Sequence, residues 1–159
     1  MRFIRAALAG ALLALTGAAS GQALDHFLRA VNQGDTLTAA KLLDKGVDPD
    51  TADSSGLTAL MIASRLGNTE MAALLINRKA NVGRQSAFGD TAINLAALGG
   101  HLKVVELLLA HGAVVSPLVG WGPLHYAAFE NRAEVVKYLI LKGAKKDALA
   151  PNGDRKSVV

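Results

Sequence analysis

The sequence contains no cysteine and few aromatic residues. Of its 159 residues, 51% are hydrophobic but only 4% are aromatic. The absence of cysteine excludes disulfide bonds, thiolate metal sites, a cysteine nucleophile and lipid attachment at a cysteine. A core must therefore be built mainly from Ala, Leu and Val, which favours closely packed small helices over a sandwich or a large enzyme pocket. The length suits about one domain.

A clustered excess of basic charge is also missing. The formal net charge is +4, and removing Arg2 and Arg5 with an N-terminal leader leaves 15 basic against 13 acidic residues. Basic and acidic residues are interspersed along the chain, so the charge pattern gives no sign of a surface for nucleic acid. We therefore expect no nucleic-acid partner.

The first 23 residues have the pattern of a secretory signal peptide. Two arginines precede an apolar run over Ala6–Ala19, and small residues precede a cleavage site after Ala23. The run is shorter than the ~18–20 apolar residues that a membrane span needs. We predict that residues 1–23 are removed on export, that the mature chain lies in the bacterial periplasm or is secreted, and that it makes no stable membrane insertion after cleavage. An uncleaved anchor, or a helix of the domain, is the alternative.

A phrase of 24 residues occurs three times, at 56–79, 89–112 and 120–143. Each copy reads as two short apolar helices separated by a break. In the middle copy the helices are predicted over 91–98 and 101–111. A looser copy lies upstream, where Asp25 is predicted to cap the first helix. A fixed repeat of this length is typical of a solenoid, in which each unit buries its apolar face against its neighbours.

The connectors between the copies differ in length. The distance from Gly56 to Gly89 is 33 residues, whereas the distance from Gly89 to Gly120 is 31. The connector after the third unit, with the sequence AVVSPLVG, is therefore two residues shorter than the one before it.

The copies resemble ankyrin repeats, whose pattern is roughly D-x-x-G-x-T-P-L-H-x-A-A-x-x-G-x-x-x-V-V-x-L-L-L-x-x-G-A-D. The matching residues are Asp53, Gly56, Thr58, Leu60, Ala63, Gly67, Leu74 and Leu75, then Gly89, Thr91, Ala96, Ala97, Gly100, Val104, Val105, Leu107–Leu109, Gly112 and Ala113, then Gly120, Pro123, Leu124, His125, Ala127, Ala128, Val135, Val136, Leu139, Gly143 and Ala144. The resemblance implies an all-α solenoid of about four helix-pair repeats joined by hairpin-like loops. It covers nearly all of 24–153, with units at about 24–52, 53–85, 86–116 and 117–149 and a tail over 154–159.

Two departures from the pattern concern the last copy. Gly122 replaces the threonine of the pattern, which removes a capping hydroxyl, so we expect this unit to be the least stable. The histidine of the pattern is kept only at His125, with Met61 and Asn94 at the equivalent positions. The resemblance implies that His125 has a structural role and hydrogen-bonds the backbone.

The resemblance also implies a non-catalytic module that binds another protein through its finger tips and its concave helix face. The candidate protein-binding residues are Arg65, Leu66, Phe88, Asp90, Leu98, Trp121, Phe129 and Glu130. Five of them are large and apolar where the repeat itself needs no apolar residue, and an exposed apolar patch usually marks an interaction site. We predict that Trp121 and Phe129 anchor the partner. Alternatively, these two aromatic side chains fold over the shortened connector and fill a gap.

No catalytic or cofactor pattern is present in the sequence. The histidines His26, His101, His111 and His125 have no second histidine or acid at ligand spacing on the same helix face, and no Ser/His/Asp order, phosphate-binding glycine loop or paired carboxylate stands out. We predict no enzyme activity, no metal and no cofactor.

Two other functions stay open beside a monomeric protein-binding module. One is an exported effector-like factor with an unrecognised activity. The other is a structural subunit that self-associates through its last helix pair, where Tyr138, Ile140 and Leu141 have no following repeat to cover them.

Overall fold

The computed structural model describes residues 17–118 and 120–145, and within these ranges it contains eight α-helices and no β-strand. They form four successive pairs. The first helices of the pairs are α1 (Gly17–Gln33), α3 (Ala59–Leu66), α5 (Ala92–Gly99) and α7 (Pro123–Phe129), and the second helices are α2 (Thr36–Asp44), α4 (Thr69–Asn77), α6 (Leu102–Ala110) and α8 (Ala133–Leu141). The predicted all-α solenoid is confirmed.

One continuous core joins the four pairs. Phe27, Leu60, Met71, Leu108 and Leu139 come from five different helices and are each at most 1% exposed. Burying such a side chain contributes roughly 1.5–3 kcal/mol. The remainder of the core is rich in buried alanine, as the low aromatic content predicts.

The two helix layers of the stack are not packed equally. The first helices α3, α5 and α7 share more contacts with one another than the second helices α4, α6 and α8 do. Small buried side chains such as Ala63, Ala96 and Ala127 allow this close approach. Because the layer of first helices is the tighter one, we expect the stack to curve toward it, with the first helices on the concave face.

Polar side chains fix where several helices begin. The Thr58 hydroxyl accepts the N–H of Met61 at the start of α3, at 3.3 Å, and Asn68 Oδ1 accepts the N–H of Met71 at the start of α4, at 2.9 Å. Each bond satisfies a backbone donor that has no partner within the helix.

The break between paired helices requires a left-handed backbone. Gly67 and Gly100 follow α3 and α5 with φ of 71° and 77°, a conformation that a residue without a Cβ adopts readily. Asn131 takes the equivalent place after α7 with φ of 55°. Asparagine is one of the few other residues that tolerate this conformation.

The start of the first helix differs from the sequence prediction. Asp25 is not an N-cap, because α1 begins at Gly17 and places Asp25 in its interior. The proposed cleavage site after Ala23 also lies within α1, while residues 1–16 of the predicted signal peptide lie outside the described residues. The signal peptide stays a prediction. Among the helices of the described residues, none combines the length and the hydropathy that crossing a membrane requires.

The helices of the third pair are shifted slightly from the predicted ranges. They begin at Ala92 and Leu102, because Thr91 and His101 are N-caps with non-helical backbone angles. They end at Gly99 and Ala110.

Candidate functional site

We call the three connectors between helix pairs fingers and define them as residues 47–58, 80–91 and 113–122, of which residue 119 lies outside the described residues. The first two fingers are hairpin-like. The first finger is closed by the bond from Asp53 N to Leu57 O, at 3.0 Å, and by a bridge between Ala52 and Thr58. In the second finger, the bond from Ser86 N to Asp90 O, at 2.8 Å, has the same register as the first of these.

A single carboxylate organises the tip of the first finger. Asp53 Oδ1 accepts the N–H groups of Ser55 and Leu57 at 2.9 and 3.0 Å, and the Ser55 hydroxyl at 2.6 Å. These bonds, the one from the Ser55 hydroxyl first, lower the pKa of Asp53. Hydrogen bonds to the charged form stabilise it, so the tip is held while Asp53 is ionised.

The second finger keeps this arrangement in a weaker form and the third finger loses it. Ser86 is equivalent to Asp53, and its hydroxyl accepts the N–H groups of Phe88 and Asp90, each at 3.2 Å. Pro117 occupies the same position in the third finger and has no side-chain acceptor. The third finger must therefore adopt a different conformation at its tip.

The first two fingers stack directly on each other. Ala87 in the second finger donates its N–H to Ser55 O in the first, at 3.2 Å. The contact is so close that a Cβ at Gly56 would lie 2.9 Å from Ala87 N. Only glycine fits there without a shift of the backbone.

The second and third fingers do not repeat this contact. Leu118 is the equivalent of Ala87, yet among the described residues no bond runs from its N–H to Phe88 O. A Cβ placed on Gly89, the equivalent of Gly56, would meet no described atom within 4 Å. The stack of fingers is therefore interrupted after the second finger.

A cleft of about 790 Å³ opens at this interruption. We call it the inter-finger cleft, and its described lining residues are Val82, Gly83, Gln85, Phe88, Gly89, Thr91, Ile93, Asn94, Val114, Ser116, Pro117, Leu118, Gly120, Trp121 and Tyr126. None of these residues is charged. Phe88 and Leu118 are the most exposed of its apolar residues, at 81% and 90%.

The contact between Pro117 and Gly122 keeps the third finger in its place. A Cβ at Gly122 would lie 2.6 Å from Pro117 Cδ. The threonine of the repeat pattern therefore does not fit at this position while the shortened connector keeps its course. The shortened connector thus leaves no room for a side chain at position 122. The glycine found there also leaves α7 without a side-chain cap.

Four ring side chains meet at the base of the third finger, and we call them the aromatic cluster. Its centre is Trp121, whose ring centroid lies 6.0 Å from that of His125, 5.9 Å from Tyr126 and 6.2 Å from Phe129. Such separations are typical of favourable ring packing. Trp121 is 36% exposed and Phe129 is 72% exposed, so the cluster is supported on one side and open on the other.

His125 has the structural role that was expected of it. It is buried, and its Nδ1 accepts the N–H of Gly122 at 3.2 Å. Burial lowers the pKa of His125, and an Nδ1 that accepts an N–H must itself be unprotonated. The neutral imidazole thus satisfies the N–H of Gly122, which precedes α7, but not the His125 N–H that a side chain at position 122 would accept.

Two polar contacts tie the aromatic cluster to the preceding unit. The Tyr126 hydroxyl donates a short hydrogen bond to Asp90 Oδ1, and Asn94 Nδ2 donates to Trp121 O at 3.4 Å. Burial and the Asp90 carboxylate raise the pKa of Tyr126, so the phenol remains a donor. Asp90, a candidate protein-binding residue, has one carboxylate oxygen engaged by Tyr126 inside the stack.

Three of the remaining candidate residues lie at the helix breaks. Arg65 and Leu98 are equivalent residues whose carbonyls accept side chains of the next unit, His101 Nε2 at 3.0 Å and Arg132 Nε at 3.1 Å. Glu130 is exposed and lies 4.0 Å from Arg132, a separation at which a surface ion pair contributes little.

The structure brings some of the candidate residues together and leaves others apart. Trp121 and Phe129 are in contact in the aromatic cluster, and Trp121 and Phe88 line the same cleft. Leu66, at 48% exposure, belongs to the earlier unit. Sequence reasoning missed Leu118, for which the apolar shortened connector was a signal. It also missed Tyr126, whose contact with Asp90 has no local signal.

No cluster of three or more possible metal ligands occurs in the described residues. A family model described as ankyrin repeats (3 copies) matches residues 27–117 and 78–150. A comparison with curated proteins finds no match.

Proposed function

Because the chain belongs to the ankyrin-repeat family, whose repeats serve as protein–protein interaction modules, we propose that it is an exported protein that binds a protein partner. The partner is contacted through the finger tips and the concave face of the first helices. The observation that carries this proposal is the aromatic cluster, in which Phe129 is 72% exposed beside Trp121.

The energy available at the cluster supports this function. An aromatic side chain buries about 150–250 Å² in all, so covering the exposed part of Phe129 would contribute roughly 3 kcal/mol. Trp121 is already oriented by Tyr126 and His125, so binding costs it little side-chain entropy. Tryptophan is also enriched among the residues that dominate binding energy.

Three charged residues also belong to the candidate surface, and one of them, Glu130, directly follows Phe129 in the chain. Arg65 and Glu130 are exposed, and Asp90 is half-buried. Exposed charges at the edge of an interface act mainly on the association rate and on specificity. We assign the anchoring role to Trp121 and Phe129 and the selective role to these charges.

Catalysis is not part of this proposal, since ankyrin repeats are generally non-catalytic. Export rests on the sequence of residues 1–23, with its two arginines, apolar run and small residues before Ala23. The mature chain would then act in the periplasm or outside the cell.

Affinity capture from a periplasmic extract tests the anchor. The variants are Trp121→Ala, Phe129→Ala and the double change, with Leu37→Ala on α2 as the matched control because Leu37 is 77% exposed. We expect the double variant to retain less than about a tenth of the captured partner. Phe129→Ala should keep its melting temperature, because little of its surface is buried.

The gap-filling alternative predicts a different result. If Trp121 only closes the space above the shortened connector, Trp121→Ala lowers the melting temperature and both single variants capture the partner as the wild type does. That result would reject the anchoring role.

Self-association is the second candidate, because the last helix pair leaves apolar surface uncovered. Ile140 and Leu141 are 41% and 82% exposed, whereas Lys142 lies over the Tyr138 ring at 5.4 Å from its centroid. Light scattering with size exclusion separates the candidates. A strict monomer excludes self-association, and a dimer dissociated by Leu141→Lys would favour it.

A further inference from the structure

We propose that the inter-finger cleft binds an extended, uncharged peptide segment of the partner, whose backbone pairs with the open edge of the second finger. This inference rests on the proposed function, because it specifies what part of a protein partner enters the binding surface. It adds a second site next to the aromatic cluster, which shares Trp121 and Tyr126 with the cluster but not Phe129, and which has its own recognition chemistry.

The first argument is the interrupted stack of fingers. Ser55 O in the first finger receives an N–H from the second finger, but Phe88 O, its equivalent, receives none from Leu118. Phe88 is 81% exposed, and among the described residues no backbone N–H is hydrogen-bonded to its carbonyl. An extended chain that adds to such an edge gains backbone hydrogen bonds, as in β-strand addition.

The second argument is the absence of charge in the lining. The polar groups available there are a neutral amide and hydroxyls, among them Gln85 and Thr91, and the exposed apolar groups are Phe88, Val114 and Leu118. A charged side chain entering this cleft would lose hydration without gaining a partner of opposite charge. The segment that fits has aliphatic or aromatic side chains at its centre.

The third argument is that the cleft is built into the chain. The shortened connector lacks two residues, and Pro117 packs where the Cβ of a larger residue at position 122 would lie. The volume of about 790 Å³ lies within the range of ≈ 300–1,000 Å³ found for ligand sites.

The test selects random phage-displayed peptides of about a dozen residues on the full chain, a length suited to strand addition. Selected peptides are then titrated against the wild type, Leu118→Asp and Gln85→Lys. Leu37→Asp is the control, because Leu37 is as exposed as a cleft residue but lies on α2. We expect peptides with uncharged central residues, about tenfold weaker binding to both cleft variants, and unchanged binding to the control.

A second variant tests the geometry of the cleft. Two residues inserted into the third connector restore the 33-residue spacing of the earlier fingers. We expect the third finger to stack on the second and peptide binding to fall. Selection of charged peptides, failure to select any peptide, or equal binding to wild type and Leu118→Asp would overturn the proposal.

The outcome also separates this inference from the proposed function, since Phe129 does not line the cleft. Loss of partner capture by the Trp121/Phe129 double variant, with full capture by Leu118→Asp, would keep the aromatic anchor and reject the cleft. Loss of capture and of peptide binding by Leu118→Asp, with full capture by Phe129→Ala, would keep the cleft and reject Phe129 as an anchor.

Discussion

A single position in each finger decides how its tip is held. Asp53, Ser86 and Pro117 are equivalent, and they offer a charged acceptor, a neutral acceptor and no acceptor. Hydrogen bonds to a charged group contribute about 1.5–3 kcal/mol each, against about 0.5–1.5 kcal/mol for neutral ones. The rigidity of the finger tips therefore decreases from the first finger to the third.

Removing the carboxylate from the first tip should destabilise the fold. Asp53→Ala leaves the N–H groups of Ser55 and Leu57 without their acceptor, and we expect the free energy of unfolding to fall by about 1–3 kcal/mol. Denaturant unfolding measures the change. Ser54→Ala at the neighbouring exposed position is the control, and equal losses in the two variants would contradict the role of Asp53.

His125 makes the stability of the last unit depend on pH. Its pKa in the folded chain lies below its ordinary value of 6.5, so the folded chain binds fewer protons than the unfolded chain between the two values. The contribution of His125 to the free energy of unfolding is then fully present above pH 6.5 and decreases as the pH falls below this value. We expect the melting temperature to decrease as the pH is lowered below 6.5.

The matched variant for this prediction is His125→Asn, because Asn94 occupies the equivalent position in the preceding unit. It should weaken the pH dependence, while His26→Asn at an exposed site on α1 should leave it intact. An unchanged pH profile in His125→Asn would show that another group titrates.

Among the elements, the third connector has the largest effect on its surroundings. Its two missing residues move Pro117 against Gly122, separate the second and third fingers, and expose Leu118. The threonine of the repeat pattern, which caps α3 as Thr58, is excluded from α7 for this steric reason.

Connector length and the residue at 122 should therefore be coupled. Gly122→Thr alone forces the Pro117 ring to move, and overpacking of this kind costs about 1–3 kcal/mol. In a chain with two residues inserted into the third connector, the same substitution should cost at least about 1 kcal/mol less, because the ring no longer blocks the side chain. Denaturant unfolding of the wild type, Gly122→Thr, the chain with the insertion and the chain with both changes gives the coupling energy. If the two changes in the free energy of unfolding are additive, the steric explanation is refuted.

The sequence predicts the helix pairs well because they depend on local patterns. Each of these patterns involves residues only a few positions apart. They are the apolar spacing, the N-caps Thr58 and Asn68, and the glycines at the helix breaks. The start of α1 was predicted wrongly, because the residues before Asp25 also read as part of a leader. The cleft and the contact between Tyr126 and Asp90 depend on distances across 31 to 36 residues, which no local pattern specifies.

At the scale of the whole molecule, stability depends on contacts between neighbouring units. His101 and Arg132 each donate to a carbonyl of the preceding unit. The last two units are also joined by Asn94, whose amide donates to Trp121 O, and by the Tyr126 hydroxyl, which donates to the Asp90 carboxylate. A unit at the end of the described stack has such contacts on one side only. In repeat proteins this makes the end units the first to open.

The last pair should consequently exchange its amide protons fastest. We expect amides of α7 and α8 to be less protected than those of α5 and α6, because the last pair has one neighbour in the described stack and Gly122 gives it no side-chain cap. Hydrogen exchange followed by mass spectrometry measures this. Arg132→Ala should widen the difference, and equal protection of both pairs would contradict the expectation.

The separation of the third finger has a consequence for proteolysis. Leu118 is 90% exposed in a connector that is not hydrogen-bonded to the second finger through its equivalent backbone position. An endoprotease that cleaves after large apolar residues would therefore cut there before it reaches the buried leucines of the core. The two fragments would remain associated through the packing of α5 against α7, and an occupied cleft would protect the bond from cleavage.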